Sequence, residues 1–257
     1  MCFADGGRVA PLEAGAYKVE MSNATEWPQK SAAARQGRGD AREIDYAFDL
    51  LRGVASYTSS PLIAALARTV AAFPDAALDV AFNHKQVACK IWARDALFAH
   101  LGPAFASIWI LGGWYGVLAA ILLDDPRFAI GHVTSIDVDP AVAPVAEALN
   151  AEAAAAGRFS TGAADMYGLD YHRLETRPAL VINTSCEHIP DLRGWLALLP
   201  RGMPVLLQSN NYAGEPTHVN IVGSLRHFAD TAALSRLLYS GELKLKNYTR
   251  FMLIGLR

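Results

Sequence analysis

The chain has 257 residues, of which 52% are hydrophobic and 19% are charged, and its formal net charge is −2. A chain of this length can bury a full core as one large domain or as one domain with an extension. Its near-neutral charge gives no long-range attraction to nucleic acid or to anionic lipid, so we expect neither as a partner. The sequence contains no run of about 18 apolar residues that would predict a membrane span.

The cysteines and the first residues of the chain indicate the cellular compartment in which the protein is expected. Cys2, Cys89 and Cys186 are scattered, and their odd number and spacing predict no disulfide framework. The first residues lack both the basic and the apolar region of a secretory signal. We therefore expect a reduced, cytoplasmic protein, and nothing in the sequence excludes a homodimer.

Residues 1–103 have the pattern of an N-terminal segment followed by a helical cap. Residues 1–40 are rich in Gly, Ala and charge with weak periodicity, which predicts a partly disordered or surface-draped segment. Ser60-Pro61 supplies a helix cap and a proline at the first helical position. Asn83 begins a further helix, which is predicted to end near residue 102.

Residues 104–257 alternate between strand and helix patterns. This alternation predicts an α/β, Rossmann-like doubly wound sheet of seven strands. The sheet should be mostly parallel, with an antiparallel C-terminal strand, because no helix separates the last two strands. The predicted strands cover 106–111, 132–137, 157–162, 179–183, 203–208, 235–245 and 248–256, and the predicted helices 115–123, 141–154, 190–198 and 222–230.

A glycine turn follows the first of these strands. Gly112, Gly113 and Gly116 separate an apolar strand from an apolar helix, and Asp137 ends the next strand 21 positions after Gly116. Glycines let the backbone approach a ligand closely, and an acid at the tip of the second strand can bind ribose hydroxyls. This layout is typical of a nucleotide-binding βαβ unit.

Polar residues also follow the third and fourth strands. Asp165-Met166 comes after the third predicted strand, and Asn183 ends the fourth. Ligands of open α/β sheets bind beyond the carboxyl ends of the strands, where these residues all lie. We therefore expect one ligand site at this edge of the sheet.

With these residues the chain resembles the class I S-adenosylmethionine (AdoMet)-dependent methyltransferases over about residues 104–257. The resemblance implies that the glycine turn backs the methionyl part of AdoMet, which serves as substrate or methyl donor. It also implies ribose binding by Asp137 with its neighbour Val138, adenine binding by Asp165 and Met166, and a polar contact from Asn183 at the reacting centre.

The chain departs from the family pattern within the glycine turn. Ile110 occupies the position of the usual acid, and Trp114 occupies that of the usual second glycine. Trp114 and the following Tyr115 could lie over the sulfonium, since a cation over an aromatic face gains about 0.5–2 kcal/mol. Alternatively, both could pack the helix start against the cap.

The densest polar run of the chain is Asn183 to His188. Ser185 could orient a ligand, and Glu187 or His188 could act as a general base or could cap the following helix. This run could also bind a metal ion together with His218. However, consecutive positions do not easily converge on one ion, so we expect no metal.

Two further groups of polar residues have open interpretations. Asn211 and Tyr212 follow the fifth strand, where they could hold a carboxylate or an ammonium group, or could stabilise a turn. Lys90 and Arg94, four residues apart on a predicted helix, are expected to be solvated. Cys186 could be a nucleophile, although sequence alone shows no environment that lowers its pKa.

The sequence also resembles a small group of AdoMet-cyclising azetidine-2-carboxylate synthases. In that reaction the α-amine of AdoMet attacks its own γ-carbon and releases methylthioadenosine, so no acceptor-binding insertion is needed. An aromatic and amide-rich lining with few charges is the expected site. Methyl transfer to a small molecule, non-catalytic AdoMet binding and, more weakly, an NAD-dependent oxidoreductase remain as alternatives.

Overall fold

The computed structural model describes residues 41–173 and 177–257, so the prediction for residues 1–40 lies outside the described part. The helices are α1 (Ala41–Thr58), α2 (Pro61–Ala72), α3 (Leu78–Ala81), α4 (His84–Leu101), α5 (Val117–Asp124), α6 (Ala143–Leu149), α7 (Ala151–Ala155), α8 (Leu192–Leu198) and α9 (Leu225–Ala232). The strands are β1 (Ala104–Leu111), β2 (Ala129–Asp137), β3 (Phe159–Ala163), β4 (Leu180–Asn183), β5 (Pro204–Asn210), β6 (Arg236–Lys244) and β7 (Thr249–Leu256).

The strands form one seven-stranded sheet in the order β3-β2-β1-β4-β5-β7-β6. β1 to β5 are parallel, whereas β7 runs antiparallel to both β5 and β6. This confirms the predicted mostly parallel sheet with antiparallel strands at its C-terminal end. Leu111 is level with Ile136 on one side and Asn183 on the other, so β1, β2 and β4 end at the same edge.

The apolar composition of the central strand β4 and of helix α5 follows from their burial. All four residues of β4 are buried, as expected for a strand covered on both faces. Helix α5 is apolar around most of its circumference because the sheet covers one side and the N-terminal helices cover the other. Within the described residues, no helix is both long enough and apolar enough to cross a membrane.

The N-terminal helices pack against the sheet domain in two ways. Leu66 of α2 shares a buried cluster with Val117 of α5 and Val145 of α6. Helix α4 instead packs on the sheet itself, where the carbonyl of Cys89 accepts a hydrogen bond from Gln208 Nε2 at 3.0 Å. The predicted Ser60 and Asn83 caps are confirmed, since each side chain accepts backbone N–H bonds at its helix start.

The prediction of one continuous helix over 141–154 is wrong. A 3-10 turn at Pro140–Val142 precedes α6, and α6 and α7 are separated at Asn150. The buried Asn150 amide donates to the carbonyls of Ala146 and Gly116. The break therefore ties this helical segment to the glycine turn, an effect of tertiary hydrogen bonding that periodicity does not report.

Candidate functional site

The glycine turn has two residues in left-handed backbone conformations that favour glycine. Gly112 has φ +65° and Gly116 has φ +69°. Space is also restricted, because a Cβ on Gly112 would lie 2.8 Å from Ser185 Oγ, and a Cβ on Gly113 would clash with the side chain of Ser135. The turn therefore brings bare backbone to the carboxyl edge of the sheet.

Asp137 holds the glycine turn from the neighbouring strand. Its Oδ2 accepts the backbone N–H of Trp114 at 2.8 Å, and its Oδ1 accepts that of Asp139 at 3.1 Å. Trp114 has φ +47°, which is uncommon for a residue with a side chain. An ionised carboxylate has about four acceptor positions, so Asp137 retains capacity for ligand hydroxyls.

The other predicted adenosine-side residues lie along the same edge of the sheet. Val138 is 73% exposed directly after β2, and the exposed Asp165 follows β3 and caps a 3-10 turn by accepting from Tyr167 N. Met166 is half-buried and packs against the core. These positions agree with an adenosine groove beside the turn, which remains a prediction.

A cavity of about 430 Å³ adjoins the glycine turn on the side of β4 and β5. Its walls come from the turn, the loops after β4 and β5, the start of β7 and helix α4. The lining residues include Gly112, Gly113, Trp114, Thr184, Ser185, Glu187, His188, Tyr212, Glu215, His218, Tyr248, Arg250, Gln86 and Lys90. The predicted lining with few charges is therefore wrong, because Lys90, Glu187, Glu215 and Arg250 contribute charge.

A buried ion pair forms one wall of the cavity. Arg250 Nη1 donates to Glu187 Oε1 at 2.6 Å, and Asn210 Nδ2 donates to the same oxygen at 2.6 Å. Glu187 and Arg250 are only 3% and 5% exposed. Glu187 Oε2 is buried without a hydrogen-bond partner in the described structure. The buried ion pair with Arg250 and the hydrogen bond from Asn210 favour a structural role for Glu187 over that of a general base.

Lys90 lies in the cavity wall, so its predicted solvation is wrong. Its Nζ donates to Gln86 Oε1 at 2.8 Å. Burial, together with the nearby Arg250 guanidinium, lowers the pKa of Lys90 to about 8. Helix α4 packs on β6 and β7, so its inward residues face the sheet rather than solvent.

Replacing Lys90 with methionine is expected to stabilise the protein at pH 7. The folded state holds the Lys90 proton less tightly than the unfolded chain, so the charged amine opposes folding below about pH 8. Stability of the parent protein should rise between about pH 8 and the ordinary lysine pKa of about 10.4. Urea unfolding at pH 7 and pH 10 measures the free energy of unfolding, and the excess stability of K90M over the parent should be smaller at pH 10 than at pH 7. K85M, on the same helix outside the cavity, is the control, and an equal K90M advantage at both pH values would contradict this account.

Two histidines line the cavity with defined tautomers. His188 Nδ1 lies 3.0 Å from the carbonyl oxygen of Thr217, and His218 Nδ1 lies 2.7 Å from that of Tyr212. Because a carbonyl oxygen only accepts, each Nδ1 carries a proton, and the lone pair of a neutral ring then lies on Nε2. The two rings meet edge to face with centroids 4.7 Å apart.

Consecutive positions were expected not to converge easily on one ion, but Glu187 and His188 do bring ligand atoms close together. One carboxylate oxygen of Glu187 and one ring nitrogen each of His188 and His218 lie within 4.8 Å of one another. The 3-10 turn Cys186–His188 directs its last two residues into the cavity, and the loop after β5 brings His218 to them.

Several predicted site residues have structural roles instead. The Tyr115 hydroxyl accepts from Ala77 N at 3.4 Å and its ring stacks on Trp114, which favours the packing interpretation. Asn211 Oδ1 accepts from Thr249 N, outside the cavity lining. The side chain of Asn183 is buried and accepts the backbone N–H of Ser185, so it braces the loop rather than lining the cavity.

Cys186 is not a suitable nucleophile in this structure. Its thiol is completely buried and does not line the cavity. Burial, followed by the neighbouring Glu187 carboxylate, raises its pKa well above the usual range. The thiolate needed for attack is therefore disfavoured.

The sequence did not place Gln86, Lys90, Glu215, Tyr248 or Arg250 at the site, although all of them line the cavity. Glu215 lies three residues after Tyr212, which the sequence did single out, so proximity in the chain could have indicated it. The others come from α4, from β7 and from the position just before β7, and no motif in the sequence links those segments to the glycine turn.

Comparison with solved structures places this architecture among methyltransferase folds. The chain is similar to N-methyltransferase NodS from Bradyrhizobium japonicum WM9 at 13% identity and TM-score 0.52, over 69% of this chain and 98% of that one. It is similar to geranyl diphosphate C-methyltransferase from Streptomyces coelicolor A3(2) at 14% identity and TM-score 0.51, over 69% and 82%. The [4+2]-cyclase SpnF aligns at 13% identity and TM-score 0.53, over 67% and 82%.

No protein-family model matches the chain, and no curated protein sequence matches it. The structural similarities therefore define the fold, a Rossmann-like sheet of the methyltransferase type. Because both methyltransferases and a cyclase share this fold, the fold alone does not specify the reaction.

Proposed function

We propose that this protein is an AdoMet-dependent enzyme acting on a small molecule, and that its reaction is cyclisation of AdoMet to azetidine-2-carboxylate. The observation that carries the proposal is the cavity beside the glycine turn, whose walls contain both a cation and carboxylates. The aminobutyrate arm of AdoMet is itself a zwitterion with a carboxylate and an amine. A cavity with both signs of charge complements that arm.

The cofactor assignment rests on the order of residues along the sheet edge. The glycine turn follows β1, Asp137 ends β2 and Asp165 follows β3. This is the order of the AdoMet-binding residues in the class I methyltransferases that the chain resembles. Asp137 has free acceptor capacity for the ribose hydroxyls. The structures of NodS and of geranyl diphosphate C-methyltransferase include complexes with S-adenosyl-L-homocysteine, the demethylated form of AdoMet.

The arm would extend from the turn into the cavity. Lys90, when protonated, supplies a cation for the arm carboxylate, and Glu215 supplies a carboxylate for the amine. Trp114 and Tyr212 line the cavity and can shelter the sulfonium with their aromatic faces. No inserted domain separates β4 from β5 or β5 from α9, so the chain's own α4 closes the cavity.

The cyclisation balances without a second substrate. The α-ammonium first loses a proton to solvent, which is accessible because its reference pKa is near 8. The neutral amine attacks the γ-carbon as the carbon–sulfur bond breaks, and the bonding pair leaves with sulfur as neutral methylthioadenosine. The products are azetidine-2-carboxylate and methylthioadenosine, and the enzyme's contribution is to fold the arm for in-line attack.

Methyl transfer to a small polar acceptor is the second candidate. The observation that favours it is the polar wall formed by His188, His218 and Tyr248 at the β5–β7 side of the cavity. These side chains could bind an acceptor next to the sulfonium. The chemistry would then transfer the methyl group and leave S-adenosylhomocysteine.

Incubation of the purified protein with AdoMet alone separates these reactions. We expect equal amounts of methylthioadenosine and azetidine-2-carboxylate by mass spectrometry, well above AdoMet incubated without protein. Absence of both products, with S-adenosylhomocysteine formed only on addition of an acceptor, would replace cyclisation with methyl transfer. Tight AdoMet binding without turnover under either condition would indicate a non-catalytic AdoMet-binding protein.

A further inference from the structure

Three metal-ligand side chains meet at one wall of the cavity. Glu187, His188 and His218 each contribute one ligand atom, and the three atoms lie within 4.8 Å of one another. All three residues line the cavity. Two imidazoles and one carboxylate form a donor set that divalent transition metals bind, including zinc in catalytic sites.

In each of these three side chains, one polar atom is hydrogen-bonded to another group and the second polar atom remains for a metal. The Nδ1–H of each histidine is donated to a backbone carbonyl, which leaves both Nε2 lone pairs free. Glu187 Oε1 accepts from Arg250 and Asn210, which leaves the buried Oε2 without a partner. Ligating histidines and carboxylates are typically oriented in this way by their second ligand atoms.

The unpartnered oxygen is the independent observation that points to a ligand. A buried polar atom without a hydrogen bond is costly, and Glu187 is only 3% exposed. The cavity wall is close to neutral without a metal, because the Glu187 and Glu215 carboxylates offset the Arg250 guanidinium and the Lys90 ammonium.

We infer that Glu187, His188 and His218 form a binding site for a divalent transition metal ion, through the Glu187 carboxylate and the Nε2 atoms of both histidines. Ligand atoms about 2.0–2.2 Å from zinc are about 3.4 Å apart in tetrahedral geometry, so donors that lie within 4.8 Å of one another must approach by up to about 1.4 Å. Rotation of His188, an exposed side chain, allows this closure.

Three protein ligands leave the coordination shell open toward the cavity. An oxygen donor of a bound small molecule, such as a carboxylate or a hydroxyl, is the class of ligand that would complete it. The site is built from the chain's own residues and requires no assumption about AdoMet. Metal binding and AdoMet turnover can therefore succeed or fail separately.

Titration of the full chain with Co²⁺, after removal of metals by a chelator, tests the site without AdoMet. We expect one Co²⁺ per chain, with visible absorption typical of low coordination number, and displacement by Zn²⁺. His188→Ala and His218→Ala should each weaken Co²⁺ binding by at least about tenfold. His227→Ala removes an imidazole outside the cavity and should leave binding unchanged.

Circular dichroism would confirm that the variants fold, which is expected because neither His188 nor His218 is buried. Absence of stoichiometric Co²⁺ binding in the parent protein would overturn the inference. So would binding that survives either H188A or H218A at parental affinity, since the site needs both histidines.

Discussion

Replacing Glu187 with glutamine is expected to lower the free energy of unfolding by about 3–5 kcal/mol. The substitution keeps the shape of the side chain but removes the charge opposite Arg250, which is 5% exposed and cannot lose its proton. The guanidinium would then remain buried without a counter-charge. Urea unfolding of parent and variant at pH 7 measures the loss.

The exposed pair Arg68–Glu152 provides the matched control. Its side chains are 55% and 73% exposed, so Glu152→Gln should change stability by less than about 1 kcal/mol. Combining Glu187→Gln with Arg250→Met should recover part of the loss, because the stranded charge is removed as well. A Glu187→Gln effect no larger than that of Glu152→Gln would show that the buried pair does not stabilise the fold.

Replacing Asp137 with alanine is expected to weaken AdoMet binding by at least about 100-fold. The carboxylate would accept two ribose hydroxyls, and a hydrogen bond to a charged group contributes about 1.5–3 kcal/mol. The variant also removes the acceptor of the Trp114 N–H, so the glycine turn loses its tie to β2. Calorimetric titration with AdoMet measures the affinity.

Asp139→Ala is the control for this variant. Asp139 lies two residues further along, is exposed, and only caps the 3-10 turn after β2. It should alter stability by about 1 kcal/mol and leave AdoMet affinity near that of the parent. Equal affinities of the Asp137→Ala and Asp139→Ala variants would remove Asp137 from the binding site.

The sheet could be predicted because its signals are local. Each parallel strand is a short apolar run bounded by turn residues, and the carboxyl edge follows from the strand direction alone. Gly112, Gly116 and Asp137 could be assigned for the same reason, since the turn and the strand tip are set by nearby residues. The sheet order then places them side by side.

The charged half of the cavity could not be predicted because it depends on distant contacts. Lys90 and Arg250 are 160 positions apart in the sequence, and they meet only because α4 packs on β6 and β7. A lysine on a helix is usually solvated, so the prediction for Lys90 followed the commoner case. Glu187 likewise resembled a helix cap until its partner on β7 was known.

The aromatic pair in the glycine turn shows the same limit. The sequence left two interpretations open for Trp114 and Tyr115 as a pair, contact with the ligand or packing against the cap, and the two stacked rings divide between them. Trp114 lines the cavity, whereas the Tyr115 hydroxyl contacts the backbone of the N-terminal helices. Which of two neighbouring residues faces a ligand depends on the backbone dihedral angles of the turn.

Calorimetric titration of the parent protein with AdoMet, repeated with NAD, tests the central claim most directly. The account predicts saturable binding of one AdoMet per chain and no measurable competition by excess NAD, since we propose that the residues at the carboxyl edge of the sheet bind AdoMet. Absence of AdoMet binding, or tighter binding of NAD at the same site, would contradict it.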